Sequence, residues 1–120
     1  MVRTTKQPQP LPPAVFHLLL ALRDGEQHGY ALMQRVEELT DGAVRMGPGT
    51  LYGAIKRMLA DGLITDAGER VDSHQACRKY YKLTELGQKA LNAEMQRYLD
   101  TVYLIKQRNL IPSTSAKLSL

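Results

Sequence analysis

Between Gly47 and Gly62 the chain spells one helix with both ends marked, and this segment constrains the fold more than any other stretch. Gly47 can serve as its N-cap. Pro48 fits the first helical position, where a missing N–H loses no hydrogen bond and a fixed φ suits the helix. Leu51, Ile55, Met58 and Leu59 form an apolar stripe, and Gly62 can close the C-terminal end. With that stripe inward, the outward positions are Gly49, Gly53, Lys56, Arg57 and Ala60. Two glycines and an alanine beside two cations make a smooth positive ridge that can approach a groove wall closely. A solvated face more often carries long charges of both signs spaced four apart. The plainer alternative is a surface helix with two stray cations.

Two shorter helical patterns precede this one. The first spans about residues 12–23, with Val15, Leu18, Leu19 and Leu22 inward, and Asp24-Gly25 ends it. The second spans about 28–39, where Ala31, Leu32, Val36 and Leu39 recur at helical spacing before Thr40-Asp41-Gly42 breaks it. After Gly62 come two candidate strands, about 63–67 and 78–83. The second alternates, with Tyr81 and Leu83 on one face and Tyr80 and Lys82 on the other. The polar residues 68–76 read as a hairpin tip. Thr84 then caps a long helix over about 84–108, with Glu85 in its first turn and Gly87 as a small propensity cost. In it Leu91, Met95, Tyr98, Val102 and Ile105 fall at spacings of 4, 3, 4 and 3, the seam of a short coiled coil. Residues 1–11 and 109–120, rich in Pro, Gln, Ser and Thr, read as a flexible arm and tail.

This order of elements is mainly α with a small β-hairpin. Three short helices followed by a hairpin is the arrangement of a winged helix-turn-helix over residues 12–83, joined to a C-terminal dimerisation helix. In that arrangement the third helix offers its outer face to a DNA major groove. The hairpin adds Arg70, His74, Arg78 and Lys79, which can follow the phosphate backbone as a wing, or else belong to an ordinary solvated loop. Charge distribution agrees with a nucleic-acid partner. The whole chain carries +4, and from Arg45 to Lys82 there are seven basic residues against four acidic ones. Tyr30 lies near a helix N-terminus and is expected to touch a phosphate, and Tyr52 is expected near DNA. Tyr81 is expected in the core. Packing with the hydroxyl at the rim is the other reading of Tyr52, Tyr80 and Tyr81.

Other function classes find less support. The longest apolar run, residues 14–22, falls short of the roughly 20 residues of a membrane span. The prolines at 8, 10, 12 and 13 do not fit a signal peptide, so the chain reads as cytoplasmic. His17, His28 and His74 have no Ser, Cys or carboxylate pair placed beside them, and no phosphate loop, cofactor motif or metal spacing is present, so an enzyme is not expected. The strands offer no aromatic platform for RNA. A winged-helix module that contacts only proteins remains the alternative. The single Cys77 excludes an internal disulfide, and its neighbours Arg78 and Lys79 could lower its thiol pKa and make it a redox switch.

Three separated motifs, in order and at fitting spacing, resemble the PadR-like family of winged-helix regulators. They are His28-Gly29-Tyr30-Ala31-Leu32, then Gly49-Thr50-Leu51-Tyr52 running through Lys56-Arg57-Met58-Leu59 to Asp61-Gly62-Leu63-Ile64, then Arg78-Lys79-Tyr80-Tyr81-Lys82-Leu83-Thr84-Glu85-Leu86-Gly87. The resemblance covers about residues 14–106. It implies a homodimeric repressor on an inverted-repeat operator of double-stranded DNA, released in some members by a small aromatic or cationic ligand. Tyr98, Val102 and Tyr103 would line a pocket for an aromatic effector. From the residues themselves, Thr50 and Tyr52 flank the outward face of the third helix and are expected at the DNA with Lys56 and Arg57. The seam of Leu91, Met95, Tyr98, Val102 and Ile105 is expected to form the dimer interface, because so small a domain cannot cover it alone; folding back on the N-terminal helices is the other reading. The chain departs from the family in carrying Gly47 where a Ser cap is usual, and in having no Trp on the long helix.

Overall fold

The structure is a computed structural model, and it describes residues 9–113. The elements run α1 (Pro13–Leu22), β1 (Gln27–His28), α2 (Gly29–Leu39), α3 (Pro48–Ala60), β2 (Ile64–Val71), β3 (Cys77–Leu83) and α4 (Glu85–Gln107). Helices α1, α2 and α3 pack against one another and against a three-stranded antiparallel sheet of order β1-β3-β2. Their shared core comprises Leu18, Leu19, Leu32, Val36, Leu51, Met58 and neighbours, capped from the sheet by Ile64 and Tyr81 and from α4 by Leu91. Four helices and a small antiparallel sheet in this order are a winged-helix fold. No helix among the described residues is long and apolar enough to cross a membrane. The arm and tail expected at the ends fall largely on residues 1–8 and 114–120, outside the described residues. Leu11 packs against the core.

Helix α3 starts at Pro48 with Gly47 as an N-cap that makes no side-chain bond. Its buried stripe is Leu51, Ala54, Ile55 and Met58, the i, i+3, i+4, i+7 set. Leu59, expected inside, is exposed. At about 100° per residue it stands roughly a quarter turn from the centre of that stripe, and Ala54 takes the inward place. Leu39 was also expected inside and is exposed, because it is the last residue of α2 and nothing covers it.

The sheet differs from the expectation in two ways. The two-residue β1 was not anticipated. Gln27 and His28 pair with Tyr81 and Tyr80, a register that carries β3 between two neighbours. Strand β2 runs to Val71, four residues beyond its expected end, because a bulge between Asp66 and Glu69 absorbs Ala67 and Gly68 and lets pairing resume at Glu69–Lys79. Gly68 sits there at φ +97, and Asp66 Oδ1 accepts from its N–H at 2.7 Å. The tip is therefore only residues 72–76.

Helix α4 is fixed at its root. The Thr84 hydroxyl accepts from Gly87 N–H at 2.9 Å and donates to the Gly62 carbonyl at 2.6 Å, and Thr84 N–H donates to Leu63 O. Gly87 is more than a propensity cost. A Cβ there would lie 1.9 Å from Leu63 O, so only glycine lets the helix meet the end of the α3–β2 turn this closely.

Candidate nucleic-acid interface

The outer face of α3 is open. Gly49, Gly53, Lys56, Arg57 and Ala60 are all exposed, and a Cβ on either glycine would meet nothing within 4 Å. The glycines are thus not required by packing, and they keep the ridge low. Thr50 and Tyr52 are exposed on its flanks. Arg57 pairs loosely with Asp61 at 3.7 Å, whereas no ion pair engages Lys56 among the described residues.

Tyr52 has a structural role as well as an exposed one. Its hydroxyl lies 3.0 Å from where a Gly29 Cβ would be, so glycine at the start of α2 gives the ring its seat. The His28 side chain caps α2, its Nδ1 accepting from Ala31 N–H at 3.2 Å. That bond needs an unprotonated Nδ1, and burial, with the charge of Arg78, lowers the His28 pKa in the same sense. The ring also meets Tyr80 edge to face at 5.4 Å. Around these groups a cleft of about 110 Å³ brings together His28, Gly29, Tyr30, Tyr52, Arg78 and Lys79. The start of α2, the flank of α3 and the wing strand β3 therefore converge at one place.

The wing cations are also accounted for. Arg70 reaches across the sheet with its guanidinium 4.2 Å from the Tyr80 ring centroid and pairs with the Glu26 carboxylate beside β1. Arg78 donates through Nε to Asp72 Oδ2 at 3.0 Å and stands 5.6 Å from the Tyr30 ring. Lys79 pairs with Asp66 at 3.6 Å. Asp72 organises the tip, its Oδ1 accepting from His74 N–H at 2.8 Å and Ala76 N–H at 2.9 Å. The bond from Ala76, then Arg78, brings its carboxyl down to about 2. His74 itself is exposed on the tip.

Glu26, His28, Asp72 and Tyr80 were not among the expected site residues. Asp72-Ser73-His74 carried a signal, since Asp commonly opens turns by bonding backbone two residues on. Glu26 carried none, because its partner lies 44 residues away.

Cys77 does not have the environment expected of an activated thiol. Loss of water around it, and the Glu69 carboxylate 3.6 Å from Sγ, push its pKa up.

The seam expected on α4 divides in two. Leu91 is 0% exposed and belongs to the core of its own chain, so it is not available to a partner. Met95 is partly buried against that core. Beyond it Tyr98, Leu99, Tyr103 and Leu104 are exposed, with Val102 and Ile105 half-buried. Tyr98 tilts against Phe16 at 5.0 Å. An open apolar cleft of about 580 Å³ is lined by Phe16, His17, Met95, Tyr98, Leu99 and Val102. Tyr98 and Val102 line it together with Phe16 and His17 of α1, and Tyr103 stands outside, 66% exposed.

Comparison with known proteins agrees with this architecture. Residues 18–93 match the Transcriptional regulator PadR-like family. Over 78 residues the chain is 37% identical to the transcriptional regulator Rv3488 of Mycobacterium tuberculosis, covering 65% of this chain and 68% of that one. It is 36% identical over 77 residues to an uncharacterised 37.1 kDa protein in a transposon of Streptomyces fradiae, covering 64% of this chain and only 20% of that protein's length. Among solved structures, a PadR family transcription regulator from Clostridium difficile superposes with a TM-score of 0.69 at 26% identity, over 80% of this chain and 97% of that one. Bacillus subtilis PadR, crystallised in complex with operator DNA, superposes at 0.64 with 21% identity, over 79% and 59%. The chain belongs to the PadR-like family of transcriptional regulators.

Proposed function

We propose that this regulator is a homodimeric, sequence-specific repressor that seats α3 in the major groove of an inverted-repeat operator. The observation that carries the reading is the bare ridge of α3, where Gly49, Gly53 and Ala60 flank a Lys56 that has no ion-pair partner among the described residues. A low ridge allows close approach to base edges, and a lysine free of carboxylates can donate to guanine acceptors. Thr50, Tyr52 and Arg57 flank that contact. Tyr30, Arg70, His74, Arg78 and Lys79 meet the phosphate backbone from the α2 start and the wing, fixing register without reading sequence. The operator complex of B. subtilis PadR supports a DNA partner.

Dimerisation rests on the outer half of α4. Tyr98, Leu99, Tyr103 and Leu104 leave large apolar side chains in water along this stretch, and exposed apolar surface of this kind commonly marks an interface. A second copy would cover it, with Met95, Val102 and Ile105 completing the contact. The cleft beside Phe16 would then be enclosed between protomers, with the shape and apolar lining of a site for a small aromatic effector. Genomic footprinting tests the whole reading. Bound sites with two-fold symmetry support it, and a protein that shows no salt-dependent retention on duplex DNA refutes it in favour of a protein-contact module.

A further inference from the structure

The cations assigned to the DNA differ in their company. Lys56, on the reading helix, has no carboxylate partner among the described residues. The three wing cations each have one: Arg70 with Glu26, Arg78 with Asp72, Lys79 with Asp66. Two of these acids have local structural duties, Asp72 in the tip and Asp66 at the bulge. Glu26 has no other described bond. It precedes β1, at one edge of the sheet, while Arg70 comes from β2 at the other. To meet, Arg70 lies over the Tyr80 ring on the intervening strand. The Arg70 bond and charge, with Lys82 adding to them, hold the Glu26 carboxyl below its ordinary value.

A carboxylate offers an arginine the same charge and paired acceptors as a phosphodiester. We propose that Glu26 is an internal stand-in for DNA phosphate, occupying Arg70 in the free protein and competing with the backbone for it. This rests on the DNA reading above and adds a brake to it. Both groups are exposed, so the pair is weak enough to exchange. On contact with a duplex the guanidinium would turn from Glu26 to a phosphate. Breaking the Glu26 pair opposes that exchange by the same amount whatever the sequence. The wing's hold on DNA is therefore set below what its cations alone would give.

The test is a double-mutant cycle with full-length protein on operator and random duplexes, across a salt series, after circular dichroism and melting show each variant folded. Glu26→Gln should bind both duplexes about two- to five-fold more tightly at low salt. Its slope of log K against log salt should steepen by up to about 0.9 per wing engaged. In an Arg70→Ala background the same change should have little effect. Glu26→Ala serves as a second variant should the amide disturb folding. An unchanged slope and affinity for Glu26→Gln overturns the stand-in alone, and so does an equal gain without Arg70, which would mark a general charge effect. Failure of the wild type to bind either duplex overturns the DNA reading and the brake with it.

Discussion

Replacing Gly87 with alanine sets two effects of opposite sign against each other. Gly87 is the third residue of α4, and alanine there improves intrinsic helix propensity by up to about 1 kcal/mol. The new Cβ, however, would stand 1.9 Å from Leu63 O and 3.2 Å from Leu83 Cδ2. Leu63 O is backbone, held between the α3–β2 turn and the N–H of Thr84, so no side-chain rotation relieves the clash. Either α4 lifts off the end of α3 or the Thr84 cap opens. Overpacking that moves backbone costs about 1–3 kcal/mol, and loss of a Thr cap about 1 more. The clash should win, giving net destabilisation on the order of 1–3 kcal/mol and a fall in Tm of about 4 °C or more. Calorimetry at one fixed protein concentration measures this, since dimer formation would make Tm depend on concentration. A Tm equal to or above the wild type would refute the close contact at the root of α4.

Two further predictions concern the dimer and the wing. Val102→Glu places a charge on the half-buried stretch of α4 and should convert dimer to monomer by light scattering, while Leu91→Ala should chiefly lower stability, because that side chain lies within its own core. The Asp72 carboxyl, at about 2 against an ordinary 3.8, stabilises the hairpin tip fully above about pH 4 and loses that contribution as pH falls toward 2. Protection factors of the His74 and Ala76 amides should accordingly fall below pH 4 in the wild type and stay nearly flat in Asp72→Asn, and equal pH dependence in both would remove Asp72 as the cause.

Most of the scaffold was legible because its signals are local. Pro48 and Gly62 bracket α3, Thr84 caps α4, and the alternation of Tyr81 and Leu83 against Tyr80 and Lys82 matches the observed faces of β3. What escaped depends on contacts between distant segments. The two-residue β1 is too short for any periodicity and exists because β3 offers it an edge. The bulge that lengthens β2 is a property of pairing, not of Gly68 alone. Leu59 and Leu39 were placed by an apolar pattern that cannot say where a neighbouring element ends. Leu91 fits a heptad as well as Tyr98 does, yet the first lies in the core of its own chain and the second is exposed, a choice that depends on where α4 docks and not on its own spacing. For the candidate site, the ridge of α3 could be read from one helical wheel. The pairing of Arg70 with Glu26 across Tyr80 could not.

The central claim is that α3 reads bases through its outer face, and Lys56→Ala tests it most directly. Operator and random duplexes, chosen from the footprint, would be titrated with wild type and variant of equal melting temperature. Lys56 lies on the exposed face of α3 without an ion-pair partner among the described residues, so its removal should leave the fold intact. The account predicts a loss of about 1–3 kcal/mol on the operator and much less on random DNA. An equal loss on both would mean that Lys56 only meets phosphates, and would contradict the assignment of this ridge as the reading surface.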